Sequence, residues 1–195
     1  MKQHFQLDEV GELKEHVGCK IEFNREKGCM KITQPVLIQS FQDEFRLPEH
    51  NYETPADPGS HLRETDALAS EEEQTTCRKG VGKLIHLSKH SRPGMLNAVR
   101  ELSRRSAKPS AVHTKAMLRA MKYCVDTKNR GLVLQPNQRW DGNNEFEFEI
   151  TGRCDSTYAS CPITRRSVSG WSAHLNGAPC TRKSKMQKFV ALSVT

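Results

Sequence analysis

A chain of 195 residues can bury a sizeable core, yet 35% hydrophobic against 27% charged residues keeps that core modest and suits a segment that packs against more protein. No run approaches the ~20 apolar residues of a membrane span, and seven cysteines without C-x-x-C spacing or a preceding signal-peptide pattern predict reduced thiols in the cytosol or nucleus. The net charge of +7 hides a gradient: residues 1–74 hold 8 Lys/Arg against 16 Asp/Glu, residues 75–131 hold 14 against 2, and residues 132–195 hold 8 against 5.

In chain order, the opening from Phe5 to Ile32 predicts a hairpin: V-G-C-K-I-E-F alternates apolar and polar residues, N-R-E-K-G supplies the turn, and C-M-K-I resumes the alternation. Thr33 is expected to cap a helix with Pro35 in its first turn and Val36, Leu37, Phe41 and Phe45 at helical spacing, ending near Leu47-Pro48. Residues 48–69, rich in Pro, Gly, Asp, Ser and His, predict an exposed linker. Ser70 with Glu73 forms a capping box for a helix over 71–89, which Gly80 and Gly82 should weaken.

Two amphipathic helices are predicted next. Pro93 to Ser106 sets Leu96, Val99 and Leu102 on one face, and Ala111 to Val125 does the same with Val112, Met117, Leu118, Met121 and Val125, leaving basic outer faces. Gly131 is expected to stop the last helix, L-V-L to begin a strand, and E-F-E-F-E-I to form a period-two strand. Three further short strands are expected in V-S-G-W-S-A-H-L, P-C-T-R-K-S and K-F-V-A-L-S, giving a meander that turns at N-G-A-P. The expected organisation is α+β: a hairpin and helix over 1–47, the linker 48–69, a basic helical block over 70–131 and a β-meander over 132–195.

The basic middle third is the strongest functional signal, because an excess of cations attracts phosphate backbones; its bland reading is a solvated helical surface. His86 and His90 share a helical face as zinc-protease ligands do, but Leu87 stands where the glutamate of H-E-x-x-H belongs, so packed or solvated histidines are expected. Cys154 and Cys161 flank Asp155 without a second cysteine pair and read as free thiols. Asp155 in isolation is a turn aspartate. At the end of a first strand followed by an antiparallel meander, however, it also stands where ribonuclease-H-like folds hold a catalytic metal.

Several ordered blocks resemble the polymerase polyprotein of copia-type long-terminal-repeat retrotransposons. C-D-S-T-Y-A-S-C-P-I-T-R-R-S-V-S-G is similar to the family's S-D-A-D-W-A-G-D-P-x-x-R-R-S-T-S-G, and L-N-G-A-P-C-T-R-K-S-K-M-Q-K-F-V-A-L-S-V-T to its L-N-G-A-P-I-S-W-K-S-K-K-Q-x-x-V-A-L-S-S-T. Upstream, G-K-L-I-H-L-S-K-H-S-R-P-G, A-V-R-E-L-S-R and M-K-Y-C-V-D-T-K-N-R-G-L resemble the segment between polymerase and ribonuclease H, and L-D-E-V-G-E-L-K-E-H-V-G-C-K-I the hairpin after the polymerase active site.

The resemblance implies the end of a reverse-transcriptase palm, a helical thumb and connection, and the opening strands of a truncated ribonuclease-H-like sheet. It implies two-metal phosphodiester chemistry using Mg²⁺, with Asp155 as the first metal-binding acid and Val17 and Gly18 in the primer-gripping hairpin. Lys83, Lys89, Arg92, Arg100, Arg104, Arg105, Lys108, Lys115 and Arg119 are expected to contact phosphates of an RNA:DNA hybrid or duplex. The remainder of the polyprotein would be the protein partner, in an intracellular, virus-like-particle setting. Thr157 replaces a frequent second Asp, Gly94 the Asp after R-P, and Thr181-Arg182 the Ser-Trp pair. Since Y-x-D-D and the later acids do not occur in these residues, the expectation is a fragment inert by itself. The competing expectations are a non-enzymatic nucleic-acid-binding module and a relic without function.

Overall fold

The computed structural model describes residues 11–57, 62 and 68–193; the reading of Phe5 to Val10 lies outside them. The described chain opens with three antiparallel strands, β1 (Glu15–His16), β2 (Cys19–Asn24) and β3 (Cys29–Thr33), which continue into helix α1 (Pro35–Glu44). Val17 and Gly18 form the two-residue turn between β1 and β2 with φ of 50° and 71°, the left-handed pair that matches strand twist in a tight hairpin. Gln34, not Thr33, occupies the N-cap of α1. Thr33 is still paired in the sheet opposite Lys20, and Pro35 starts the helix with a preset φ and no donor to satisfy.

Helices α2 (Glu71–His90), α3 (Leu96–Ser103) and α4 (Ala111–Asp126) build the middle of the molecule, with a 3₁₀ turn, Pro93–Met95, leading into α3. The predicted helix over 93–106 is thus split and shortened, since Pro93 follows the end of α2 directly and only the 3₁₀ turn re-aims the chain. The α2 capping box forms as expected: Glu73 N–H donates to Ser70 Oγ at 3.3 Å, and Ser70 N–H donates to Glu73 Oε2 at 2.9 Å. These helices enclose one core with α1, in which Phe41, Leu84, Leu87, Met117, Met121 and Cys124 are all completely buried. Val112, expected on the inner stripe of α4, is instead 53% exposed, because the buried stripe runs through His113, Met117, Ala120, Met121 and Cys124, and Val112 lies one position, about 100°, off it.

Gly80 is no weak point in α2. A Cβ there would lie 2.0 Å from Met117 Sδ, so the missing side chain is what lets α2 and α4 approach. Gly131 likewise serves a close approach, to Ile32 O at 2.5 Å from a notional Cβ; α4 has already ended at Asp126.

The strand L-V-L departs from the predicted organisation. As β4 (Leu132–Leu134) it pairs with β3, extending the N-terminal sheet to four strands in the order β1-β2-β3-β4. Its partner lies a hundred residues upstream, which local alternation cannot reveal. The second sheet consists of β5 (Ile150–Ser156), β6 (Val168–Leu175) and β7 (Ala178–Met186), all antiparallel.

Residues 145–149 of E-F-E-F-E-I form no strand, and Glu149 is held at the hairpin tip by its N–H to Asn176 Oδ1 at 2.8 Å. K-F-V-A-L-S forms none either: Met186 already faces Val168, the first residue of β6, so the chain has run off the end of its partner. The N-G-A-P turn is as expected, with Asn176 and Gly177 at φ of 47° and 80°. No helix among the described residues is long and apolar enough to cross a membrane.

Candidate nucleic-acid interface

In its described stretch 51–57 the predicted linker is a strap rather than a free connection. Its stretch 51–57 lies along α4: Tyr52 N–H donates to Asp126 Oδ2, Lys122 Nζ donates to Asn51 Oδ1 at 2.9 Å, and the Arg119 guanidinium stacks 4.5 Å from the Tyr52 ring. Arg119 also forms an ion pair with Asp57 and a 3.1 Å hydrogen bond to Thr54 Oγ1. A segment that looks polar and featureless is therefore pinned by the cations it covers.

That pinning changes the inventory of phosphate contacts. Six of the nine predicted cations are engaged internally. Lys83 Nζ lies 2.5 Å from Glu44 Oε1 and 2.8 Å from Ser40 Oγ, tying α2 to α1. Arg92 is buried, donates to Thr127 O at 3.0 Å and packs over the Tyr123 ring. Arg100 and Arg104 both pair with Glu101, at 2.8 and 3.4 Å, and Arg105 Nε donates to Leu62 O at 3.3 Å. Arg119 is taken by the strap. In each case a carboxylate or a carbonyl has already replaced the water that a phosphate would have to displace.

Lys89, Lys108 and Lys115 remain. All three are exposed, and none has a carboxylate partner among the described residues. Lys89 belongs to the last turn of α2, where a cation also complements the helix dipole.

Val17 and Gly18 stand at the exposed tip of the β1–β2 turn. A β-branched residue at φ 50° is an outlier that costs roughly 1–2 kcal/mol, which the two-residue turn between β1 and β2 imposes. His86 and His90 stack at 4.4 Å, but the Nδ1 of each ring is occupied structurally. Gln34 Nε2 donates to His86 Nδ1 at 2.9 Å, and His90 Nδ1 lies 2.9 Å from His86 O. Burial, with the neighbouring His90, holds the His86 imidazole below its usual range, which keeps Nδ1 free to accept from the fully buried Gln34.

Asp155 lies on the exposed edge strand β5, opposite Gly170, and its Oδ1 accepts from the N–H of Ser156 at 2.8 Å. Among the described residues no group of three His, Cys, Asp or Glu could hold a metal ion. The acid that the resemblance assigns to Mg²⁺ therefore has no ligand set around it, and no metal-dependent step follows from these residues.

Cys161 is a free thiol as expected, but its surroundings, and one face of the second sheet, escaped the sequence reading. Cys161 is buried in the loop after β5, with Arg104 Nη2 3.6 Å from its sulfur, joining α3 to the second sheet. Burial pushes this thiol up, but hydrogen bonds from the Thr164 side chain and backbone, from Arg104 and from the Ile163 backbone outweigh it and bring it down to about 6. The other is the outer face of the second sheet, where Trp171 and Lys183 are directly paired and Ser169 faces Lys185. Strand parity sets these four on one side, and no single-strand pattern could reveal the pairing.

Secreted RxLR effector protein 161 of Plasmopara viticola is 31% identical over 115 residues, covering 59% of this chain and 75% of that protein. The retrovirus-related Pol polyprotein from transposon TNT 1-94 of Nicotiana tabacum is 23% identical over 201 aligned positions, covering 100% of this chain and 14% of the polyprotein. The putative transposon Ty5-1 protein of Saccharomyces cerevisiae is 27% identical over 110 residues, 56% of this chain and 33% of its own length. The chain therefore spans a minor part of both transposon proteins. No family model and no solved structure matches it.

Proposed function

Because this chain belongs to one family with secreted RxLR effector protein 161 and is related to retrotransposon polyproteins, we propose that it is the stretch of a copia-type polymerase running from the palm hairpin through thumb and connection into the first ribonuclease H strands. Its task in this reading is a sequence-independent grip on a duplex, an RNA:DNA hybrid above all, with the rest of such a polyprotein as its protein partner. Lysines to phosphates provide affinity without reading bases.

The observation that carries the reading is the sorting of cations. Within a block of 14 Lys/Arg against 2 Asp/Glu, the arginines are spent on internal bonds while Lys89, Lys108 and Lys115 face solvent without partners among the described residues. The alignment with a Pol polyprotein over the whole chain is in keeping with a retrotransposon-related origin. Asp155 on the first strand of an antiparallel meander fits the same placement. Catalysis forms no part of the proposal, since no ligand set surrounds that acid among the described residues.

Fluorescence anisotropy with a labelled RNA:DNA hybrid tests it directly. Binding should weaken steeply with salt, and the triple exchange of Lys89, Lys108 and Lys115 to Gln should lower the log–log salt slope by about 3, equally for unrelated sequences. A hybrid affinity indifferent to salt, or to that triple exchange, would overturn the reading. Charge reversal at Arg100, Arg104 or Arg105 is a poor substitute, because it breaks the Glu101 and Leu62 contacts first.

A further inference from the structure

The outer face of the second sheet carries a site that the duplex reading leaves unused. A groove of about 540 Å³ runs beside Trp171 along β7 and the segment after it. Trp171 is 42% exposed, and beyond the end of β7 Phe189 is 82% exposed. Three lysines, Lys183, Lys185 and Lys188, line the same groove, and no carboxylate does among the described residues.

The register explains the arrangement. Trp171 on β6 pairs with Lys183 on β7, and Ser169 pairs with Lys185. Lys183 and Lys185, two residues apart on one strand, point to the same side about 7 Å from each other. An exposed aromatic ring thus shares one sheet face with a row of cations.

We propose that this face binds single-stranded nucleic acid, an unpaired base stacking on Trp171 with Phe189 beside it, and the flanking phosphates lying against Lys183, Lys185 and Lys188. Sheets that combine exposed aromatics with cations along a groove bind unpaired strands in this manner, tolerating any sequence because every base has a π-face. Duplexes are poor occupants, since their bases already stack on one another. A protein partner is disfavoured by composition: the buried centres of protein interfaces are depleted in lysine, whereas three lysines with no opposing acid call for a polyanion. The site is separate from Lys89, Lys108 and Lys115, so a strand displaced from a duplex could be held here while the duplex is held elsewhere.

The test uses the full chain in a Trp140→Phe background, so that Trp171 is the remaining tryptophan, and an oligothymidine of about ten nucleotides, within the usual site size. Binding should quench Trp171 fluorescence. Trp171→Ala should weaken oligothymidine affinity about 10-fold, and Trp171→Phe should recover most of it. Exchanging both Lys183 and Lys185 to Gln, exposed positions that leave the strand pairing intact, should lower the single-strand salt slope by about 1.4. Blunt duplex affinity should not move with any of these.

No quenching, an unchanged salt slope in the lysine variant, or equal losses on duplex would overturn the proposal. So would self-association through this face, seen by sedimentation, that oligothymidine fails to displace. Loss of hybrid binding in the Lys89, Lys108 and Lys115 variant with Trp171 quenching intact would support this site, so each reading can fail without the other.

Discussion

The helical middle of the chain and its C-terminal sheet treat their apolar residues in opposite ways. Across α1–α4, Phe41, Leu84, Leu87, Met117 and Met121 have no exposed surface at all, and even a glycine, Gly80, is selected by lack of room. Across β5–β7, Ile150 is 77% exposed, Trp171 42% and Leu175 37%, and every residue of β5 faces water. Hydrophobic burial stabilises the first region, whereas the second is held by ladder hydrogen bonds, the tight Asn176–Gly177 turn and a few seam contacts to α3. An apolar face left open on a protein otherwise able to build a dense core is the usual mark of a binding surface.

Core truncation should separate the two regions most sharply. Phe41→Ala is expected to cost about 3–5 kcal/mol, because the ring is completely buried in the helical core and its removal leaves a cavity. Ile150→Thr, on the open face, should stay within about 0.5 kcal/mol. Urea unfolding midpoints compare the two; a cost for Ile150→Thr approaching that of Phe41→Ala would mean that the sheet face is covered in solution.

A subtler contrast lies within α2. Adding one methyl at Gly80 drives a Cβ into Met117 Sδ, and Gly80→Ala should destabilise by about 1–3 kcal/mol through overpacking. At Gly82 a Cβ meets open space, so Gly82→Ala should stabilise by about 0.5–1 kcal/mol through helix propensity alone. Thermal melts of the pair give opposite signs if α2 crosses α4 at Gly80, and the same sign if the helices are further apart.

These two glycines also mark the limit of what the sequence disclosed. Local signals were sufficient for α2 and α4: the Ser70–Glu73 box and the 3.6-residue spacing of Leu84, Leu87, Met117 and Met121 are facts of neighbouring residues. The difference between Gly80 and Gly82 is set by Met117, far along the chain. The same reason hid the pairing of β4 with β3 and the strap over Arg119. For the candidate interface, the charge excess of residues 75–131 was legible, and the Glu101 pairs with Arg100 and Arg104 are local, but the engagement of Lys83 and Arg119 was not legible, because Glu44 and Asp57 reach them only through the tertiary fold. The Trp171 face fell between the two cases: its alternation was visible in β6 and its lysines in β7, and only the register joins them.

The seam between the two regions offers the smallest and most selective test, a pH dependence at Cys161. Its thiol titrates near 6 in the folded chain against an ordinary 9.0, so between those values the unfolded state holds the proton that the folded state has released. Folding is then favoured increasingly as pH rises through that window, with the contribution complete above 9 and lost as pH falls through 6. Because the thiolate faces Arg104 on α3, the effect should concentrate on the loop after β5. Amide exchange at residues 159–167 should slow between pH 6 and 8 after correction for intrinsic rates, and Cys161→Ser should flatten that change while leaving α2 and α4 untouched. A change of equal size in the helices would place the titrating group in the shared core, whereas a flat profile in the unaltered protein would mean that Arg104 stays with Glu101 and leaves the sulfur neutral.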